Sequence, residues 1–200
     1  MRNNEQGRSM IEMLGVLAIV GVLSVGGIAG YSKAMNKFKA NKLIDQVTQI
    51  STNVKTIFSG QRTFDQLSIS LAQKVGALPA DTYTTPAAGQ SISIATNAFG
   101  GDIDVAVSDL NKENDKMAYT LKITDIPQDA CITILTTDFG AESLVAMGVA
   151  EVATIYQSTD ATANSIGKPG NTTQDAPFSV LSARTACTEA TSNTIYFKFK

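Results

Sequence analysis

The sequence predicts an α+β protein: a long N-terminal helix followed by a head built on an antiparallel β-sheet. Three observations predict it. No proline interrupts residues 8–60, and the apolar residues there either surround the helix or recur at three- and four-residue steps. From about residue 61 the chain breaks into short segments separated by Gly, Pro, Asn, Asp and Thr, and three of these alternate apolar with polar residues. Such a sheet needs a hydrophobic cover, and the stripe on the helix can supply it.

The helix begins after a short polar leader, M-R-N-N-E-Q-G. From Met13 to Tyr31 the chain is uncharged for 19 residues, with Ser24 the clearly polar member before the tyrosine. At 1.5 Å per residue this run spans roughly 28 Å, close to the hydrocarbon thickness of a bilayer. It is long for the apolar core of a conventional secretory signal, although Gly27-Ile28-Ala29 offers the small residues such a signal ends on. Glu12 stands at the mouth of the run, and a carboxylate carried into a bilayer costs about 2.5–3.5 kcal/mol at the helix centre, less near an end. Lys33, Lys37, Lys39 and Lys42 follow the run; taken alone, they favour a cytoplasmic C-terminal side.

Beyond Tyr31 the helical rhythm continues. Met35, Phe38, Leu43, Ile44, Val47, Ile50, Val54, Ile57 and Phe58 form one apolar stripe, and Ser59-Gly60 provides a stop. The first half is therefore apolar all round and the second amphipathic.

In the head, Gly101–Ser108 alternates, placing Ile103, Val105 and Val107 on one face and Asp102 and Asp104 on the other. Met117–Ile123 repeats the pattern through Tyr119, Leu121 and Ile123, so Asn111–Asp115 connects a hairpin. The C-terminal Thr194–Lys200 turns Ile195, Phe197 and Phe199 inward, and a further strand is expected near Glu151–Gln157.

Composition excludes several functions. With no histidine, Ser-His and Cys-His catalysis and the commonest metal ligand are absent. A net charge of −2 argues against a dedicated nucleic-acid binder, and two cysteines make no four-cysteine zinc site. Asp102 and Asp104 are explained by strand alternation, so no metal or other cofactor is expected. Residues 33–62 carry six basic side chains (Lys33, Lys37, Lys39, Lys42, Lys55, Arg62) against Asp45, whereas the head is acidic. Asn171-Thr-Thr is a glycosylation sequon. In an exported domain Cys131 and Cys187 read as one disulfide, two free buried cysteines being the alternative.

The N-terminus resembles the type IV prepilin (class III) signal. Gly7 ends a polar leader, Glu12 lies five places beyond, and Ile11, Gly21 and Tyr31 fall in register. Arg8 departs from the Phe, Met or Leu usual after the cut, and Ala29 replaces a frequent proline. Asn97-Ala-Phe-Gly-Gly, Ile126-Pro-Gln-Asp-Ala-Cys and the position of Cys187 before a last strand are similar to segments of type IVb pilins; the seven-residue leader is shorter than that group's. The resemblance implies a pilin fold, with a leader at 1–7, a helical spine at 8–60 (13–31 in the membrane before assembly) and a head at 61–200. Within the head, a disulfide from Cys131 to Cys187 bounds the C-terminal region.

By the same resemblance the chain is a structural subunit, not an enzyme. A prepilin peptidase cuts after Gly7 and methylates Arg8, and Glu12 then guides assembly into a helical homopolymer. An assembly ATPase, a platform protein and a secretin are the implied partners. The precursor sits in the bacterial inner membrane with a periplasmic head, and the product is an extracellular pilus. A minor pilin or type II secretion pseudopilin shares these features; a soluble exported binding protein, its signal removed near Ala29, is the alternative of another class.

Overall fold

The structure is a computed structural model. It describes residues 4–84, 90, 92, 94–111, 113–149, 166–168 and 175–200, with side chains from Met10 onward except that of Ile166. The chain divides into two compact units, residues 1–38 and 39–200. Helix α1, Asn4–Ile57, supplies the described part of the first unit and the opening element of the second.

In the first unit every described side chain from Met10 to Phe38 is exposed, apart from half-buried Met35. Sequence explains this: the residues are apolar on all sides of the helix, and the described part of the unit contains no second element to cover them.

The second unit adds α2 (Ile69–Lys74), a 3-10 turn (Ala80–Thr82), β1 (Ala95–Thr96), β2 (Asp102–Ser108), β3 (Ala118–Ile126), α3 (Gln128–Leu135), β4 (Leu144–Gly148), β5 (Ile166–Gly167), α4 (Val180–Ala186) and β6 (Asn193–Phe199). The strands form one antiparallel sheet in the order β1-β2-β3-β6-β4-β5. β2 and β3 make the expected hairpin, with Val105 opposite Leu121. β6 then enters between β3 and β4, pairing Phe197 with Leu121 on one side and with Met147 on the other.

Leu43, Val47, Ile50 and Val54 are fully buried and share one core with Ile103, Leu121, Ile123, Ile195 and Phe197 of the sheet. Each such side chain contributes roughly 1.5–3 kcal/mol through burial. The Tyr119 hydroxyl donates to the Ser51 carbonyl at 3.2 Å, tying β3 to α1. Burial pushes that phenol's pKa well above its ordinary value, so it stays a donor.

The buried stripe is narrower than the periodicity predicts. Phe38 is 63% and Ile57 37% exposed, because a single sheet covers only the sector centred on Leu43, Val47 and Ile50. Residues 151–157, where a strand was expected, lie outside the described residues; β4 lies just before them. On the other face of the sheet, Asp102, Asp104 and Lys122 are exposed as alternation demands. Lys198, on that same face, is buried.

Candidate functional site

Gly7, Arg8 and Glu12 all lie in the first turns of α1, with Glu12 one turn beyond Arg8. The Glu12 side chain is exposed. It is surrounded along the helix by exposed Met10, Ile11, Met13, Leu14, Val16 and Leu17. Between Met10 and Gly30 the other polar side chain is Ser24, and its hydroxyl donates to the Val20 carbonyl at 2.7 Å. Glu12 therefore carries both the charge and the unspent hydrogen-bonding capacity of this stretch. With a mean hydropathy of 2.2 in its apolar part, α1 is long and apolar enough to cross a membrane.

Cys131 and Cys187 are bonded, their Cα atoms 6.1 Å apart. Both are fully buried: Cys131 on α3, Cys187 at the end of α4. Amide side chains that the sequence reading passed over reinforce the tie. Gln128 Nε2 donates to the Cys187 carbonyl at 2.8 Å. Asn193 Nδ2 donates to the carbonyls of Ile126 at 2.9 Å and Glu189 at 2.6 Å, while its Oδ1 accepts from the Glu189 amide at 3.1 Å. The segment between α4 and β6 is thus fastened to the end of β3. Only an amide group flanking a strand hinted at this role, and amides are too common in loops to single out.

The stretch Asn97–Gly101 has a similar structural logic. Asn97 Oδ1 accepts from the amides of Phe99 (2.7 Å) and Gly101 (3.3 Å), and its Nδ2 donates to the Thr124 carbonyl at 2.8 Å. A Cβ at Gly101 would run into that same carbonyl. Lys39 lies 5.7 Å from the centre of the Phe99 ring, joining the turn to α1.

Two exposed ion pairs brace the second unit. Lys42 meets Asp81 and Lys116 meets Asp65, each at 2.7 Å. Their lysine hydrogen bonds hold both carboxyls below the usual range. An open cleft of about 400 Å³ runs beside α1, lined by Thr48, Ser51, Thr52, Lys55, Phe139 and Ser143 among others. The Thr48 and Ser51 hydroxyls donate into their own helix, so these are not activated nucleophiles.

Residues 37–199 match the sequence profile described as PilS N terminal. The chain belongs to the PilS N-terminal family. That match covers the C-terminal part of α1, the sheet and both cysteines. Similarity to whole proteins extends further. The chain is 26% identical over 199 residues to the major structural subunit of bundle-forming pilus from Escherichia coli O111:H-, covering 96% of this chain and 94% of that one. The corresponding subunit from Escherichia coli O127:H6 (strain E2348/69 / EPEC) matches with the same identity and coverage. In fold, this PilS N-terminal family member resembles the type IV b pilin from Salmonella typhi, with a TM-score of 0.50 at 19% identity over 78% of this chain and 97% of that one. It also resembles TcpA, a type IV pilin from Vibrio cholerae El Tor biotype, with a TM-score of 0.52 at 14% identity over 80% and 98%. The fold is that of a type IV pilin.

Proposed function

We propose that this chain is a structural subunit of a type IV pilus, polymerised as a homopolymer through the apolar half of α1. Its similarity over almost its whole length to the bundle-forming pilus subunits carries this reading. The exposed apolar half of α1 supports it: such a surface is sheltered by a bilayer before assembly and by neighbouring spines afterwards. The role is structural, not catalytic.

In this reading the leader ends at Gly7 and Arg8 becomes the mature, methylated amino terminus. The spine runs to residue 60 and the head from 61 to 200. Glu12 pairs with the α-amino group of Arg8 on an adjacent subunit. A carboxylate entering an apolar bundle needs that partner, because an unpaired charge there costs several kcal/mol. Pairing residues one turn apart in sequence on different copies also sets the axial stagger. Prepilin peptidase, an assembly ATPase, a platform protein and a secretin act on the chain in turn, and the precursor resides in the inner membrane with its head in the periplasm.

N-terminal sequencing of sheared filaments, together with Glu12→Gln and Glu12→Ala, tests both parts. A mature chain beginning at Arg8 and loss of filaments in both variants are expected. A chain beginning at Gly30 refutes pilin processing, and normal filaments from Glu12→Ala refute the docking role alone. The amount of the chain in sheared filaments distinguishes a major subunit from a minor pilin or pseudopilin.

A further inference from the structure

The cleft of about 400 Å³ beside α1 has two walls of different chemistry. On α1, Thr48, Ser51, Thr52, Lys55, Thr56 and Ser59 fall at helical steps and so share one face. Most of these hydroxyls have spent their hydrogen. Thr48 donates to the Ile44 carbonyl at 2.8 Å, Ser51 to Thr48 at 3.0 Å, Thr56 to Thr52 at 2.8 Å and Ser59 to Thr56 at 2.8 Å. A hydroxyl oxygen that has donated still accepts, so this wall offers acceptors and threonine methyl groups. Thr52 differs: among the described residues its hydroxyl meets no acceptor, and Lys55 follows on the same face.

The opposite wall is the connection from α3 to β4, residues 136–143, and hydrogen bonds fix its shape. Gly140 (φ 85°) turns the chain, its amide donating to Asp138 Oδ1 at 2.8 Å. The Ser143 amide donates back to the Gly140 carbonyl at 3.1 Å, and the Ser143 carbonyl accepts from the Lys200 amide at 2.9 Å. Phe139 is held edge-on to Phe197 of β6, ring centres 5.0 Å apart. Across the cleft, Lys55 Nζ donates to Ser143 Oγ at 2.9 Å. That bond places the ammonium without neutralising it. No lining residue is acidic, and among the described residues no carboxylate pairs with Lys55.

The unspent donors are therefore the Lys55 ammonium, the Thr52 hydroxyl and the Ser143 hydroxyl, which accepts from Lys55 and keeps its own hydrogen. Donors with a net positive charge call for an anion with more than one oxygen. The spent hydroxyls around them call for a ligand that itself donates, and Phe139 calls for an apolar face. A hydroxylated ring bearing a carboxylate meets all of these requirements. An acidic peptide supplies the carboxylate but no hydroxyls beside it. The volume lies within the range of small-molecule sites.

We propose that this cleft binds a sugar acid, its carboxylate on Lys55, Thr52 and Ser143 and its ring hydroxyls donating to the spent hydroxyls of α1. Phe139 carries the C–H face of the ring. The site does not rest on the pilus reading or on Glu12, because every residue of it lies in the second unit. A free sugar acid and a uronate unit of a polysaccharide share this chemistry.

Chemical-shift titration of the full chain in detergent micelles, with D-galacturonate, D-galactose, trigalacturonate and triglutamate as probes, tests this. Galacturonate shifts the amides of residues 51–56 and 139–143 saturably, while those of Val105 and Ile123 stay put. Galactose, with a hydroxymethyl group in place of the carboxylate, binds about fivefold more weakly. Lys55→Met costs galacturonate about the same factor and leaves galactose unchanged. Trigalacturonate that binds beyond the statistical gain of its extra units assigns the site to a polysaccharide, and a purely statistical gain assigns it to the free acid. Lack of saturation in the millimolar range, galactose bound as tightly as galacturonate, triglutamate bound more tightly, or undiminished binding by Lys55→Met overturns the proposal. Lys55 is exposed, so its variant leaves the fold intact, and the comparison of probes needs no variant.

Discussion

The Cys131–Cys187 bond spans 56 positions. In the chain-entropy account, opening a loop of that length in the unfolded chain costs about 4 kcal/mol of stability. Replacing both cysteines with alanine tests this without placing two hydroxyls in a buried site that offers them no water. The structure indicates where the loss is felt. α3 presents Ala130, Ile134 and Leu135 to the core, whereas α4 presents Ala183 and Ala186; the small side chains of α4 give limited area, so the covalent bond carries much of its docking. The Gln128 and Asn193 hydrogen bonds remain. The double variant is therefore expected to fold at room temperature with an unchanged far-UV spectrum and to melt about 10 °C lower, taking roughly 2–4 °C per kcal/mol. Thermal unfolding in detergent, followed by circular dichroism, gives the shift. Hydrogen exchange locates it, with the amides of residues 128–135 and 180–187 losing protection before those of β2, β3 and β6. A melting point within about 2 °C of the wild type, or uniform loss across the sheet, refutes the reasoning.

Gly101→Ala places a methyl group against the Thr124 carbonyl and the Asp125 Cβ. The turn must shift, breaking the Asn97 bonds, and a loss of about 2–3 kcal/mol in urea unfolding is expected. The lowered Asp81 pKa makes its pairing with Lys42 a source of stability that is present above the unfolded value of 3.8 and lost as pH falls through the lower folded value. Lys42→Met should cost less than about 1 kcal/mol at pH 7, since both side chains are largely exposed. The difference should vanish at the acid end of a pH series of urea midpoints.

Much of this fold is legible in the residues, and the illegible parts have physical reasons. β2, β3 and β6 each put one face in the core, so Ile103, Leu121 and Phe197 alternate with polar neighbours and the strands announce themselves. β4 reads Leu-Val-Ala-Met-Gly and is buried at every position; covered on both faces, it has no period of two to detect. α3 and α4 have eight and seven residues, too few for a helical period to stand out from noise. Lys198 shows another kind of limit. Alternation states which face a residue takes, but not whether distant parts of the chain then bury it. Of the candidate site, Glu12 was conspicuous in the sequence because an acid beside an apolar run stands out in any context. Gln128 and Asn193 were not, since their partners are carbonyls that any loop displays.

The two units also separate folding from assembly in chemical terms. Residues 39–200 bury their own share of α1, with Leu43, Val47, Ile50 and Val54 enclosed by the sheet, and they contain the disulfide. Among the described residues, the core of that unit is built from Ala40 onward. The apolar segment before Tyr31 instead presents exposed Ile11, Leu14, Leu17, Val20, Leu23 and Ile28, a surface far too apolar for a free monomer in water. Substitutions in the core should therefore act on stability and reach assembly only by lowering the amount of folded chain. Substitutions at Glu12 should leave stability alone and act on assembly directly. In the proposed reading, such a chain keeps a folded head while its apolar segment moves from bilayer to filament, a transfer that exchanges one apolar surrounding for another and asks of Glu12 that it find a partner.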